Sequence, residues 1–159
     1  MKIEIICVGK LKETFYRTAV SEYLKRLSAF VKVEIIETME ISIPDKASDK
    51  ECAILLNKEG DVLLNKIKKD TWCIVLDVKG KSMDSVDFSR ALNECMISGQ
   101  SHFTFIIGGS LGISQAVKNR AQLLLSLSDM TFTHQMTRII LLEQIYRAFC
   151  IINNRTYHK

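Results

Sequence analysis

Two incompatible periodicities alternate along this chain, and that alternation leaves very few architectures open to it. Short runs rich in β-branched residues occupy 3–8, 31–36, 72–78, 102–107 and 123–127. Between them, apolar residues recur about every 3.6 positions, the spacing of an amphipathic helix. Over 13–30 the recurring positions are Phe15, Ala19, Tyr23 and Leu27, with Arg17, Glu22, Lys25 and Arg26 on the polar side. Ser48 followed by Glu51 fits a capping box that opens a helix through Lys58. Gly60 is expected to interrupt it, with a second piece over 62–67. The run 72–78 is nearly all apolar, as a strand covered on both faces requires. A turn is expected at Lys79-Gly80-Lys81, then a helix over 85–97, a short helix from near Ser114 and a long one over 135–152. Five β-α pairs in succession predict an α/β fold with a mostly parallel sheet and helices on both faces.

Composition narrows the class further. Of 159 residues 47% are apolar, enough for one core and too few for two, so residues 1–159 are read as a single domain. A charged fraction of 25% beside that apolar content excludes a disordered chain, and 7 Gly with 1 Pro exclude collagenous or low-complexity material. The net charge of +4 permits contact with a polyanion but is too small for a nucleic-acid-coating tail. The 5 cysteines are scattered without a C-x-x-C pair, which favours buried reduced thiols over disulfides or a metal site. The first residues carry no signal-peptide pattern, and no stretch approaches the ~20 apolar residues of a membrane span. A cytoplasmic protein with no membrane and no metal is expected.

Three segments could carry chemistry. Gly108-Gly109-Ser110-Leu111-Gly112 follows the fourth strand, where glycines let backbone approach a ligand at the sheet's C-terminal edge. It equally suits a tight turn. It is no P-loop, because no Gly-Lys-Ser/Thr follows. Asp129 lies at the distance a dinucleotide fingerprint asks of its acidic residue, so a nicotinamide-dependent reductase stays open on spacing. A second segment, Leu127 to Gln135, is rich in hydroxyls and suits a helix entry, but is longer than one cap needs. The third is the C-terminal quarter, where Arg138, Arg147, Arg155, Lys159, His134 and His158 accompany Tyr146 and Tyr157. Cations beside aromatics suit single-stranded RNA, and a solvated face with core tyrosines suits the pattern as well. Ile140, Cys150 and Ile151 fall outside the last helix's main apolar face, so a second cover is needed and a homodimer is expected.

The strand Trp72-Cys73-Ile74-Val75-Leu76-Asp77-Val78, the loop Ile106-Ile107-Gly108-Gly109-Ser110-Leu111-Gly112, the opening ten residues and the long ending from Leu125 to Lys159 together resemble the SPOUT superfamily. Within it they are similar to the enzymes that methylate N3 of a pseudouridine in a hairpin loop of large-subunit (23S) rRNA. The resemblance covers essentially the whole chain. It implies a dimeric α/β fold with a C-terminal trefoil knot, which nothing in periodicity reveals. It also implies an S-adenosyl-L-methionine site at Leu76, Gly108, Gly109, Leu127, Ser128, Asp129, Met130, Thr131 and Phe132. The N3 proton of a pseudouridine is largely retained at neutral pH, so a base or a stabilising cation is needed. The expected catalytic group is the C-terminal tail: His158 as base or relay, Arg138 or Lys159 stabilising the developing anion, and Tyr157 orienting the nucleobase. With no appended RNA-binding domain, recognition is expected to depend on the assembled ribosome. A non-catalytic ribosome-associated factor is the alternative outside the enzymes.

Overall fold

The computed structural model describes residues 1–157. Strands β1 (Lys2–Val8), β2 (Lys32–Thr38), β3 (Trp72–Ser82), β4 (His102–Ile107) and β5 (Leu123–Ser126) alternate with α1 (Thr14–Leu27), α2 (Asp49–Leu64), α3 (Ser85–Ile97), α4 (Gln115–Arg120) and α5 (His134–Ile152). The sheet order is β2-β1-β4-β3-β5, and every pairing is parallel. The expected α/β architecture is therefore present. Parallel neighbours need crossover helices, and these cover both faces.

Side-chain alternation along β1 shows how the two faces are filled. Ile3, Ile5 and Cys7 join Phe103, Phe105 and the α5 residues Leu141, Leu142, Ile145 and Phe149 in the larger core. Ile6 and Val8 point the other way and pack with Val75, Ile106, Leu63 of α2 and Val117 of α4. This period of two is the strand geometry itself. Burial raises the Cys7 thiol to about 12 and the Cys73 thiol to about 11, so both are inert core groups. No helix among the described residues is long and apolar enough to cross a membrane.

Two local expectations fail for identifiable reasons. Gly60 does not interrupt α2, which runs unbroken from Asp49 to Leu64. A Cβ at Gly60 would stand 2.1 Å from Ser114 Oγ, so the glycine serves the close approach of the loop entering α4 and not a helix stop. Nor does Lys79-Gly80-Lys81 form a turn after β3. The strand runs on to Ser82 through an irregularity: Leu125 pairs first with Leu76 and again with Lys81. Gly80 passes over β5 there, and a Cβ on it would lie 2.7 Å from the Leu124 backbone carbon.

Candidate functional site

A cavity of about 460 Å³ opens at the C-terminal edge of the sheet, over β4, β3 and β5. That volume falls within the range of small-molecule sites, roughly 300–1,000 Å³. Three strand ends build its walls. The β3 irregularity pushes Asp77 and Val78 out of the ladder and into the first wall, next to Leu76. Asp77 pairs with Lys118 of α4. Burial works to raise the Asp77 carboxyl, but Lys118 and the Lys79 N–H, which donates to it at 2.9 Å, hold it below its ordinary value.

The glycine loop after β4 forms the second wall. Gly112 has φ +85° and its N–H donates to the Gly109 carbonyl at 3.1 Å, folding the loop back on itself. A Cβ on Gly108 would meet the Gly112 carbonyl oxygen at 2.4 Å, and one on Gly109 would meet Val8 Cγ1 at 2.9 Å. Close backbone approach therefore demands glycine at both positions. The third wall is the segment after β5, where the Ser126 hydroxyl donates to the Ser128 carbonyl at 3.1 Å and the Met130 N–H donates to Ser128 Oγ at 3.0 Å. Thr133 then caps α5, its Oγ1 accepting from the Met136 N–H at 3.3 Å.

Of the expected cofactor residues, Leu76, Gly108, Gly109, Leu127, Ser128, Met130, Thr131 and Phe132 all line this one cavity. Asp129 is exposed and does not contribute to the wall, so the acidic residue a dinucleotide fingerprint requires is out of place. The structure adds three ionisable wall residues that the sequence pattern did not single out for the cavity: Asp77, Lys118 and His134. His134 opens α5 against Gly9, where a Cβ would lie 3.0 Å from His134 Nε2 and 3.4 Å from Glu40 Oε2. Burial lowers the His134 pKa, against the opposing pull of Glu40, and so favours the neutral imidazole. A signal for it was present: it directly follows the capping Thr133.

The expected catalytic residues divide. Arg138 is corrected: it is 0% exposed, and its guanidinium is committed to Glu37 at 2.5 Å, the Gly9 carbonyl at 2.5 Å and the Val8 carbonyl at 3.3 Å. Such a group fixes α5 against the ends of β1 and β2 and cannot face a nucleobase. Tyr157 lies beyond α5, edge-on to Tyr146 with centroids 4.8 Å apart and with the Arg147 guanidinium 4.9 Å from its ring centre. It is not in the wall of its own chain's cavity. His158 and Lys159 lie outside the described residues.

The cavity suits a cofactor with an adenine-sized apolar part and a polar tail. Leu76, Leu127 and Phe132 supply apolar surface, the glycine loop offers backbone at close range, and Ser128 and Thr131 bring hydroxyls. Asp77 and Lys118 neutralise each other, so this pair presents no net charge to a ligand.

Residues 1–158 match the family model described as "Predicted SPOUT methyltransferase". Ribosomal RNA large subunit methyltransferase H of Clostridium botulinum strain Hall is 50% identical over 159 residues, covering 100% of both chains. The protein of the same description from Clostridium tetani is 49% identical, again over 100% of both. In fold, the chain is similar to a crystal structure of a methylase family protein from Neisseria gonorrhoeae, with TM-score 0.53 at 14% identity over 91% of this chain and 81% of that one. With a family model spanning nearly its whole length and relatives matching it end to end, this chain belongs to the SPOUT methyltransferase family.

Proposed function

We propose that this chain uses S-adenosyl-L-methionine to methylate N3 of a pseudouridine in a hairpin loop of large-subunit (23S) rRNA, acting on the assembled ribosome as a cytoplasmic homodimer. The observation that carries the reading is the convergence of the segments after β3, β4 and β5 on one cavity. Relatives that match end to end and are described as ribosomal RNA large subunit methyltransferase H support the substrate class.

When bound, the cofactor supplies an electrophilic methyl group on a positively charged sulfur. The protein's own work is positioning and exclusion of water. Leu76, Leu127 and Phe132 hold the apolar portion, while the Gly108-Gly109 backbone and the Ser128 and Thr131 hydroxyls orient the polar one. Met130 lines the same cavity. His158 takes the N3 proton, Lys159 stabilises the developing anion and Tyr157 orients the base. Arg138 serves as a positioning residue for the start of α5.

Distance supports the homodimer. Tyr157 reaches Glu143 with its hydroxyl at 3.4 Å, and Glu143 lies roughly 13 Å along α5 from His134 at about 1.5 Å per residue. A tail anchored that far from its own cavity serves the cavity of a second copy. The test is transfer of a tritiated methyl group to purified ribosomes, followed by mass mapping of the modified nucleoside. The expected product is 3-methylpseudouridine in large-subunit rRNA, made faster on ribosomes than on an isolated hairpin. Label on another nucleoside, or ribosome binding without transfer, would overturn it.

A further inference from the structure

The first βα turn and the outward face of α1 form a surface that the cofactor site does not use. Over residues 10–26 five cations, Lys10, Lys12, Arg17, Lys25 and Arg26, face two carboxylates, Glu13 and Glu22. Glu22 is taken by Arg26 at 2.8 Å, whereas Lys10, Lys12, Arg17 and Lys25 make no ion pair among the described residues. Arg17 is held in place all the same, donating to the Leu11 carbonyl at 3.1 Å and to Thr14 Oγ1 at 3.3 Å. Beyond it a shallow groove of about 400 Å³ is lined by Arg17, Thr18, Ser21, Glu22 and Lys25, a row of hydroxyls between cations. Phe15, three residues before Thr18 of the groove on the same helix, is 61% exposed and leans on Tyr16, with centroids 4.2 Å apart and planes at 40°.

The surface is continuous with the candidate site. The Lys12 N–H donates to Gln135 Oε1 at 2.8 Å, and Gln135 directly follows His134 of the cavity wall. An RNA strand bringing a base to that cavity has flanking nucleotides to place. Unpaired cations with hydroxyls hold phosphates, and an exposed ring accepts a splayed base.

We propose that the Lys10–Lys12 turn, Phe15 and the Arg17–Lys25 groove form an RNA-docking surface that grips the single-stranded nucleotides flanking the target base, an inference that rests on the rRNA substrate proposed above. A second copy of this chain is the competing occupant. Two-fold contacts oppose a patch to itself, and here that would bring unpaired cations together. RNA satisfies both the charge and the ring.

The test uses the full chain and purified large ribosomal subunits. Affinity is measured by co-sedimentation at several salt concentrations, kcat and KM by methyl transfer, cofactor-product affinity by calorimetry, and assembly state by sedimentation equilibrium. The double variant Lys10→Glu/Lys12→Glu should weaken subunit binding at least tenfold and flatten the logarithmic salt slope by about two. Phe15→Ala should weaken binding about tenfold with the slope unchanged. Both should keep kcat, cofactor-product affinity and assembly state. Affinities within twofold of the parent, or a variant that changes assembly state, would overturn the inference. Loss of binding in these variants with no methyl transfer by any form would uphold the surface and defeat the functional reading. Transfer with undiminished binding would do the reverse.

Discussion

At the N-terminal edge of the strands, Glu4 is buried and receives Lys2 and Lys68 at 2.7 Å each, with His102 Nε2 3.1 Å away. Beside it Thr71 and Thr104 share a hydroxyl–hydroxyl bond of 2.8 Å. Polar groups there pair with one another: even Glu4 Oε2 and His102 Nε2, the two buried atoms of this cluster without a hydrogen bond, stand 3.1 Å apart as an ion-pair contact. The C-terminal edge is different. Glu59 spends one oxygen on the Ile41 N–H at 2.8 Å, while its Oε2 finds no hydrogen-bond partner among the described residues. The same holds for Ser114 Oγ and His134 Nε2. Buried polar atoms left unmatched cost stability, so a fold keeps them where something other than stability is at stake. One edge anchors the sheet and the other carries the site.

The hardest challenge to that division is Arg138, at the open edge, whose two terminal nitrogens are both hydrogen-bonded while Nε finds no partner among the described residues. Arg138→Met would take one donor from Glu37, which is partly exposed and keeps the Leu11 N–H at 3.0 Å, and would free two backbone carbonyls. It should cost about 2–4 kcal/mol, mainly from the carbonyls left unmatched, read from the urea midpoint. If stability is unchanged while cofactor affinity collapses, Arg138 belongs to the site and not to the frame. The cofactor edge itself is probed by Gly108→Ala, whose methyl would meet the Gly112 carbonyl oxygen at 2.4 Å. Overpacking of about 1–3 kcal/mol should appear as roughly 5- to 150-fold weaker binding of S-adenosyl-L-homocysteine by calorimetry, with the helical circular dichroism retained.

The anchoring edge makes a pH-dependent claim. Burial alone would raise the Glu4 carboxyl, but hydrogen bonds from Lys2 and Lys68 hold it at about 2, against an ordinary value of 4.5. A carboxyl depressed in the folded state stabilises fully above its unfolded value, and that stabilisation is lost as pH falls through the folded one. Glu4→Gln should therefore cost about 1–3 kcal/mol at neutral pH, since Lys2 and Lys68 are partly exposed. The gap between parent and variant should close progressively between pH 4.5 and 2. A gap independent of pH over that range would mean the charge contributes nothing.

How far the sequence discloses this arrangement depends on whether the cause is local. Strand and helix alternation, the Ser48 cap and most of the apolar faces of α1 and α5 are set by neighbours within a turn or two and are legible. The exceptions are Phe15, expected on the apolar face of α1 but 61% exposed, and Cys150, expected to need a second cover but buried within this chain. Gly60 and Gly80 misled because their reason lies elsewhere in the chain, in Ser114 and in the Leu124–Leu125 backbone. Arg138 resembled a surface cation because Glu37 and the Gly9 carbonyl are distant in sequence. The eight cavity residues came from whole-chain resemblance, whereas the β3 irregularity that places Asp77 leaves no trace in periodicity.

The smallest expected effect is also the most direct comparison, because it sets two serines in the same role. Ser48 caps α2: its Oγ accepts from the Glu51 N–H at 3.3 Å, and the Glu51 carboxylate accepts the Ser48 N–H at 2.8 Å in return. Ser114 occupies the equivalent position of α4, is 1% exposed, and makes no cap hydrogen bond. Ser48→Ala should cost about 1 kcal/mol in thermal or urea unfolding, the ordinary value of a working cap. Ser114→Ala removes a buried hydroxyl that has no partner among the described residues, so stability should hold or rise by up to about 1 kcal/mol. It also relieves the 2.1 Å approach that a Cβ at Gly60 would make, so Gly60→Ala should be better tolerated together with Ser114→Ala than by itself. Equal losses for the two serines would show that Ser114 has a partner in solution, and the open edge would then be closed at that point.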